Sequence, residues 1–250
     1  IKRFIRPFDL SKAPLLRVGL ISVEEGANIL MVDMHHIISD GISMNNLVRD
    51  FMSFYETREL PGLRIRYKDF TEWMKRRGQG EVVKSQEAYW RKRFTGEVPV
   101  LALPYDYRRP AFQSFEGGIL NFRLDKESTR ALKSTALSEG STLYMVLLGL
   151  YYILLAKLSS QEDIVVGTPV AGRGHRDLEP LVGMFVNTLA LRNFPVGSKT
   201  FRRFHQEIKK QTLADFDHQD YPYEDLVEQV NLQRDTGRNP LFDIMFSLGD

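Results

Sequence analysis

Apolar residues cluster at two different spacings along the chain, and the change of spacing marks its elements. Leu15–Ser22 and Ile29–Met34 read as strands. Glu24, Glu25, Gly26 and Asn28 supply turn chemistry between them, which predicts a hairpin. After Asp40-Gly41 the spacing becomes helical. Leu47, Phe51 and Phe54–Tyr55 recur at helix spacing, Val48 and Met52 widen the stripe, and the helix fades by Leu60, before Pro61-Gly62. Helices follow over Tyr67–Arg77 and Glu81–Phe94. Pro99, Pro104 and Pro110 then interrupt the pattern, because proline blocks helix interiors and central strands. That interruption divides the chain into 1–98 and 99–250. Beyond it, Ile119–Leu124 reads as a strand, and Asp125 caps a helix running to about Glu139. Ser141 or Thr142 caps an apolar helix through Leu158, and Asp163–Val170 and Phe185–Arg192 read as strands. Phe201, Phe204, Ile208 and Leu213 mark an amphipathic helix, Pro222 opens a short one over Tyr223–Val230, and Phe242–Leu248 is a closing strand. Interleaved helices and strands make the class α/β or α+β.

Composition narrows the function classes. The chain has 250 residues, 43% hydrophobic and 26% charged, an ordinary globular mix. Lys and Arg number 34 against 32 Asp and Glu, and a net charge of +2 is too small to point to nucleic acid. Arg76-Arg77 and Arg202-Arg203 read as solvated faces. The absence of cysteine excludes disulfide scaffolds, thiolate zinc sites and cysteine nucleophiles, and makes a cytoplasmic setting the expectation. The longest apolar run, Leu143 to Ala156, falls short of the about 20 residues that cross a bilayer. No charged-then-apolar leader stands at the start. The sequence begins at Ile1 inside a strand-like segment and closes at Asp250 just after another, so both ends are expected to be cuts in a longer chain.

The richest chemistry lies in Met34-His35-His36-Ile37-Ile38-Ser39-Asp40-Gly41, between a strand and a helix. Neighbouring strand residues point to opposite faces, so the two histidines take different jobs, one lining a cavity and one packing behind it. An imidazole can take a proton from an amine or hydroxyl. Asp40 stands at a helix start, where a carboxylate is favoured, and Gly41 lets backbone approach a bound group. A plainer reading, two core histidines beside a capping aspartate, stays open on these residues alone. A metal site is not expected, because adjacent strand histidines diverge and His175, His205 and His218 lie in separate segments. There is no Gly-x-Ser-x-Gly elbow and no phosphate-cradling glycine loop.

Taken with four further stretches in order, the segment resembles the condensation domain of nonribosomal peptide synthetases. His35, His36, Asp40 and Gly41 match its His-His-x-x-x-Asp-Gly core. Tyr67-Lys68-Asp69-Phe70-Thr71-Glu72-Trp73 resembles its Tyr-x-Asp-Phe-x-x-Trp, and Gly183-Met184-Phe185-Val186-Asn187-Thr188 its Gly-x-Phe-Val-Asn-Thr. His218-Gln219-Asp220-Tyr221-Pro222-Tyr223-Glu224 resembles its His-Gln-Asp-x-Pro-Phe-Glu, with Tyr for Phe. Arg234-Asp235-Thr236-Gly237-Arg238-Asn239-Pro240-Leu241 resembles its Arg-Asp-x-Ser-Arg-Asn-Pro-Leu, with Gly237 for Ser. Outside the histidine segment, the aromatic and turn motifs read first as packing.

The resemblance implies an α/β (α+β) sandwich of the chloramphenicol acetyltransferase-like kind, a two-subdomain pseudodimer, here incomplete. Residues 1–98 would be the C-terminal part of the N-subdomain and 99–250 the N-terminal part of the C-subdomain. It implies amide formation between a donor peptidyl or aminoacyl thioester and an acceptor aminoacyl thioester. No cofactor is bound directly. The substrates hang on the phosphopantetheine arms of donor and acceptor peptidyl carrier proteins, and an adenylation domain is adjacent; no nucleic acid or membrane partner is implied. His36 faces the tunnel and deprotonates or orients the amine, with His35, Asp40 and Gly41 as the other motif residues. Gly41 N–H is a candidate donor to the oxyanion. Asp40 pairs with an arginine, Arg173 first and Arg192 second, and Asn187 sits on a floor strand near the tunnel.

The family's Arg-His-Glu-x-Leu-Arg type segment is expected before Ile1 and its returning last part after Asp250. The isolated piece is therefore expected to be weak or inactive and prone to self-association at exposed edges. Ser39-Asp40-Gly41-Ile42-Ser43 resembles members accepting an L-configured donor. Two alternatives stand beside this reading. A coenzyme-A-dependent acyltransferase of the same fold would carry an Asp-Phe-Gly-Trp-Gly segment, which is absent. A noncatalytic carrier-protein docking fragment would not need the histidine motif.

Overall fold

The computed structural model describes residues 4–23, 26–77, 80–230 and 235–249. Glu24 and Glu25 of the expected turn, Arg234 of the last motif and both chain ends lie outside the described residues. The chain forms two compact units, one of residues 1–78 and 171–186, the other of 79–170 and 187–250. The sequence division at 98/99 falls inside the second.

In the first unit, β1 (Leu16–Ser22) pairs antiparallel with β2 (Asn28–Met34), Leu16 opposite Met34 and Ser22 opposite Asn28. A 3₁₀ turn over His36–Ile38 leads to α1 (Gly41–Tyr55), and α2 (Tyr67–Arg77) follows. A small core gathers Leu178, Leu181 and Phe185 with Ile65, Tyr67 and Phe70. Most of the apolar stripe of α1 is exposed. Val48, Phe51, Met52, Phe54 and Tyr55 are exposed, and the buried residues of α1 are Ser43 and Asn46. Periodicity registers amphipathicity but not which face is covered. Here the 171–186 segment meets α1 through hydrogen bonds, which select the polar side.

The second unit holds α3 (Glu81–Arg93), α4 (Lys126–Ser138), α5 (Leu143–Ser159), β3 (Ile164–Val170), β4 (Asn187–Asn193), α6 (Phe201–Asp217) and α7 (Tyr223–Val230). β3 and β4 are antiparallel, Ile164 opposite Asn193 and Val170 opposite Asn187. Helix α5 is apolar nearly all round, as a helix packed on several sides must be. It buries Met145, Leu148, Tyr152 and Leu155 in a core shared with Val166, Leu189, Leu191, Phe204 and Ile208. Asp125 caps α4 by accepting from Ser128 N–H, and Thr142, not Ser141, caps α5 through Met145 N–H.

Two predicted strands need correction. Residues 119–124 form no strand, and Ile119, Leu120 and Phe122 are 81–90% exposed. Strand propensity needs a partner ladder, and among the described residues this segment has none. Phe242–Leu248 reduces to one parallel bridge between Gly167 and Met245, with Gly167 N–H donating to Ile244 O and Phe246 N–H to Gly167 O. Gly237 stands where a Cβ would lie 2.7 Å from Pro110 O, so a serine there would require that backbone to withdraw.

Candidate active site

The strand β2 delivers two adjacent histidines to different fates. His35 N–H donates to Leu15 O, holding the residue to the hairpin. Its Nδ1 accepts from Ile37 N–H at 3.1 Å, capping the 3₁₀ turn, and the Phe8 ring meets it edge-on at 6.2 Å. With Nδ1 an acceptor, the neutral ring carries its proton on Nε2. His36 is exposed, and among the described residues nothing hydrogen-bonds its imidazole. Gly41 opens α1, where first-turn N–H groups lack intrahelical acceptors, and the space where its Cβ would stand is open among the described residues.

Asp40 turns the other way. Its side chain is 1% exposed and accepts five hydrogen bonds. Oδ1 takes Ser43 N–H at 2.8 Å, the Ser43 hydroxyl at 2.7 Å and Arg173 Nη2 at 3.0 Å. Oδ2 takes Phe185 N–H at 3.1 Å and Arg173 Nη2 at 3.2 Å. Burial pushes this carboxyl up. The Ser43 N–H, the Ser43 hydroxyl, the Phe185 N–H and the Arg173 guanidinium more than offset it, so Asp40 titrates below the usual 3.8. Because Phe185 N–H goes to this carboxylate, β4 starts at Asn187 and not at Phe185.

Arg173 is 3% exposed in its side chain. Besides Asp40 and Ser43 it donates through Nη1 to Leu178 O and Leu181 O, and its guanidinium lies 4.0 Å from the Phe185 ring centre. Arg192, the second choice, pairs instead with Asp163 within its own unit, at 2.6 and 2.9 Å. Asn187 opens β4, and its amide is fully engaged. Nδ2 donates to Gln219 O at 2.8 Å and Tyr221 O at 2.7 Å, while Oδ1 accepts from Thr188 and Tyr223 N–H.

Sequence reasoning missed the polar side of α1. Asn46 Nδ2 donates to Glu179 O and Leu181 O, and Tyr67 OH donates to Met184 O at 2.7 Å. The available signal was a Ser and an Asn three apart on α1, opposite its apolar stripe. It also missed a buried cluster in the second unit. There Tyr89 OH donates to Asp215 at 2.6 Å, Gln211 to both, and Arg93 stands 3.3 Å from Asp215. Tyr89 with Arg93, and Gln211 with Asp215, each fall four apart on one helix, the spacing that signals it. Among the described residues no group of His, Asp and Glu is placed to hold a metal.

Known proteins resemble this chain in sequence and fold. A family model, the condensation domain, matches residues 1–249. Gramicidin S synthase 2 of Brevibacillus brevis is 55% identical over 99% of this chain, which spans 6% of that relative. The X-domain of teicoplanin biosynthesis, in its complex with OxyB, superposes with a TM-score of 0.89 at 26% identity. That match covers 98% of this chain and 56% of that one. A four-domain nonribosomal peptide synthetase bound to AMP and glycine superposes at 0.83 with 28% identity, over 96% of this chain and 18% of that one. The fold is the chloramphenicol acetyltransferase-like mixture of helix and strand, of which the chain holds part.

Proposed function

That this chain belongs to the condensation-domain family is the premise from which we propose that it forms amide bonds between two acyl groups tethered as thioesters. The acceptor's amine, once deprotonated, attacks the donor's thioester carbonyl. The resulting oxyanion collapses, the C–S bond breaks, and the departing thiolate takes up the proton that nitrogen releases. His36 deprotonates or orients the amine. Gly41 N–H donates to the oxyanion at the start of α1. His35, Asp40 and Arg173 hold the loop that carries His36, and Asn187 supports the floor of the second subdomain by tying down the 219–223 turn. Residues 1–98 serve as the later part of one subdomain and 99–250 as the earlier part of the other. The substrates arrive on phosphopantetheine arms of donor and acceptor carrier proteins, next to an adenylation domain, in the cytoplasm. The 250 residues by themselves are weak or inactive.

One observation carries the reading: of the motif's polar side chains, His35 and Asp40 are bound into structure, while the His36 imidazole is exposed and, among the described residues, unengaged. The test is mass spectrometry of two loaded carriers mixed with the synthetase module containing this chain, wild type and His36→Ala. Loss of amide product with His36→Ala is expected; undiminished product refutes the proposal. The likeness to an X-domain solved in complex with OxyB favours a second reading, a docking module. It predicts carrier binding without amide product even in the wild type.

A further inference from the structure

The Ser43 hydroxyl has more neighbours than it can serve. Four groups lie within hydrogen-bond distance of Oγ: Asp40 Oδ1 at 2.7 Å, Gly183 O at 2.8 Å, Arg173 Nη2 at 2.9 Å and Gly183 N at 3.0 Å. A hydroxyl has one proton and two lone pairs. Gly183 N–H and the arginine can only donate, so they occupy both lone pairs. The single proton then goes to either the Asp40 carboxylate or the Gly183 carbonyl. Ser43 is 0% exposed, so no solvent relieves this competition. Gly183 is held in place from its other side. A Cβ there would lie 2.1 Å from the Tyr67 ring, and Tyr67 OH grips the next carbonyl, Met184 O. Ser43 thus joins, through one atom, the first turn of α1, the Arg173 guanidinium and both polar groups of Gly183.

We infer that Ser43 is a positioning residue that sets the placement of His36 through Asp40; the inference rests on the amide-forming role proposed for His36. Only three residues separate His36 from Asp40, and Ser39 N–H already closes onto His36 O. A shift of the Asp40 carboxylate therefore passes directly into the loop that carries the imidazole. The Asp40 cap also uses Ser43 N–H, which any residue at 43 other than proline retains, so removing the hydroxyl loosens the loop without deleting the helix start.

The experiment compares Ser43→Ala, Ser43→Cys, His36→Ala and Ser141→Ala in the full synthetase module with loaded carriers. Thermal unfolding and circular dichroism accompany the kinetics. Ser141→Ala, which removes the hydroxyl 2.8 Å from the buried His205 in the other unit, controls for general destabilisation. Ser43→Ala is expected to lower kcat about 10- to 100-fold with KM for the loaded acceptor held within about twofold. Ser43→Cys, with its weak donor and acceptor, is expected to recover part of that loss. Ser141→Ala is expected to lower the melting temperature and keep the wild-type kcat. A kcat within about threefold of wild type for folded Ser43→Ala, or a loss confined to KM, overturns the inference. If Ser43→Ala does not fold, Ser43→Cys decides by the same threefold criterion. Retained amide formation by His36→Ala would instead refute the amide-forming role itself, so the two failures are distinguishable.

Discussion

Replacing Asp40 by alanine strands a cation whose side chain is buried. Arg173 would keep its Leu178 and Leu181 carbonyl acceptors but lose the carboxylate it pairs with, with 3% of its side chain exposed. Breaking a buried pair by removing one partner costs about 3–5 kcal/mol, because the remaining charge stays desolvated. Loss of the helix cap contributes about 1 kcal/mol of similar origin, and Phe185 N–H is orphaned as well. These overlap at one carboxylate, so about 4 kcal/mol is the expected total, or a melting-point loss of about 10 °C for a chain of this size. Arg173→Met alone should cost a similar amount, since it leaves Asp40 buried and uncompensated. The double variant Asp40→Ala/Arg173→Met should be less damaged than the sum of the singles by about 2 kcal/mol or more. Urea unfolding of the four proteins measures this cycle. Additive singles, or an Asp40→Ala loss below about 1 kcal/mol, would refute the argument that the pair is energetically one object.

The same carboxylate gives an acid signature. Its folded titration lies below the usual 3.8, so its stabilisation is present above that value and is lost as pH falls through the folded one; Asp40→Asn should flatten the acid limb of a pH–stability curve below about 4. His205 works in the opposite chemical sense. Burial holds its imidazole below the usual 6.5, with Nε2 on Ser141 and Nδ1 buried without a partner among the described residues. The unfolded chain therefore binds a proton that the native one refuses, and stability should fall as pH drops below about 6.5, a slope absent in His205→Gln; equal slopes in calorimetric scans would contradict this. Asn187→Asp turns two donors into acceptors facing the Gln219 and Tyr221 carbonyls, and about 3 kcal/mol of stability should disappear in urea titration, whereas a wild-type midpoint would disprove the clip.

Local chemistry was the legible part of this chain. Asp40 and Asp125 could be named as caps because a capping carboxylate answers N–H groups two or three residues ahead. The helices α2 and α7 appear at their expected bounds. What escaped depends on residues far apart in sequence. Nothing near Ser43 announces a partner 140 positions on, and Asn187 looks like a strand residue until the turn 32 to 36 positions later folds against it. The arginine facing Asp40 was named through a family resemblance, because a guanidinium 133 positions away leaves no periodic trace. Apolar spacing likewise identified α1 as a helix but left its covered side open: Ser43 and Asn46 bond inward while Phe54 and Tyr55 remain outside.

The occupied nitrogen of His35 has a practical consequence. An electrophile such as diethyl pyrocarbonate needs a free, accessible ring lone pair. Residue 35 has already lent its Nδ1 pair to Ile37 N–H, and its other nitrogen carries the proton. Residue 36 offers its ring to the solvent. Two neighbours of identical composition thereby become reagents of unequal appetite, so a footprinting time course can resolve them by rate alone, and a spectroscopic tag can be directed to one without touching the other.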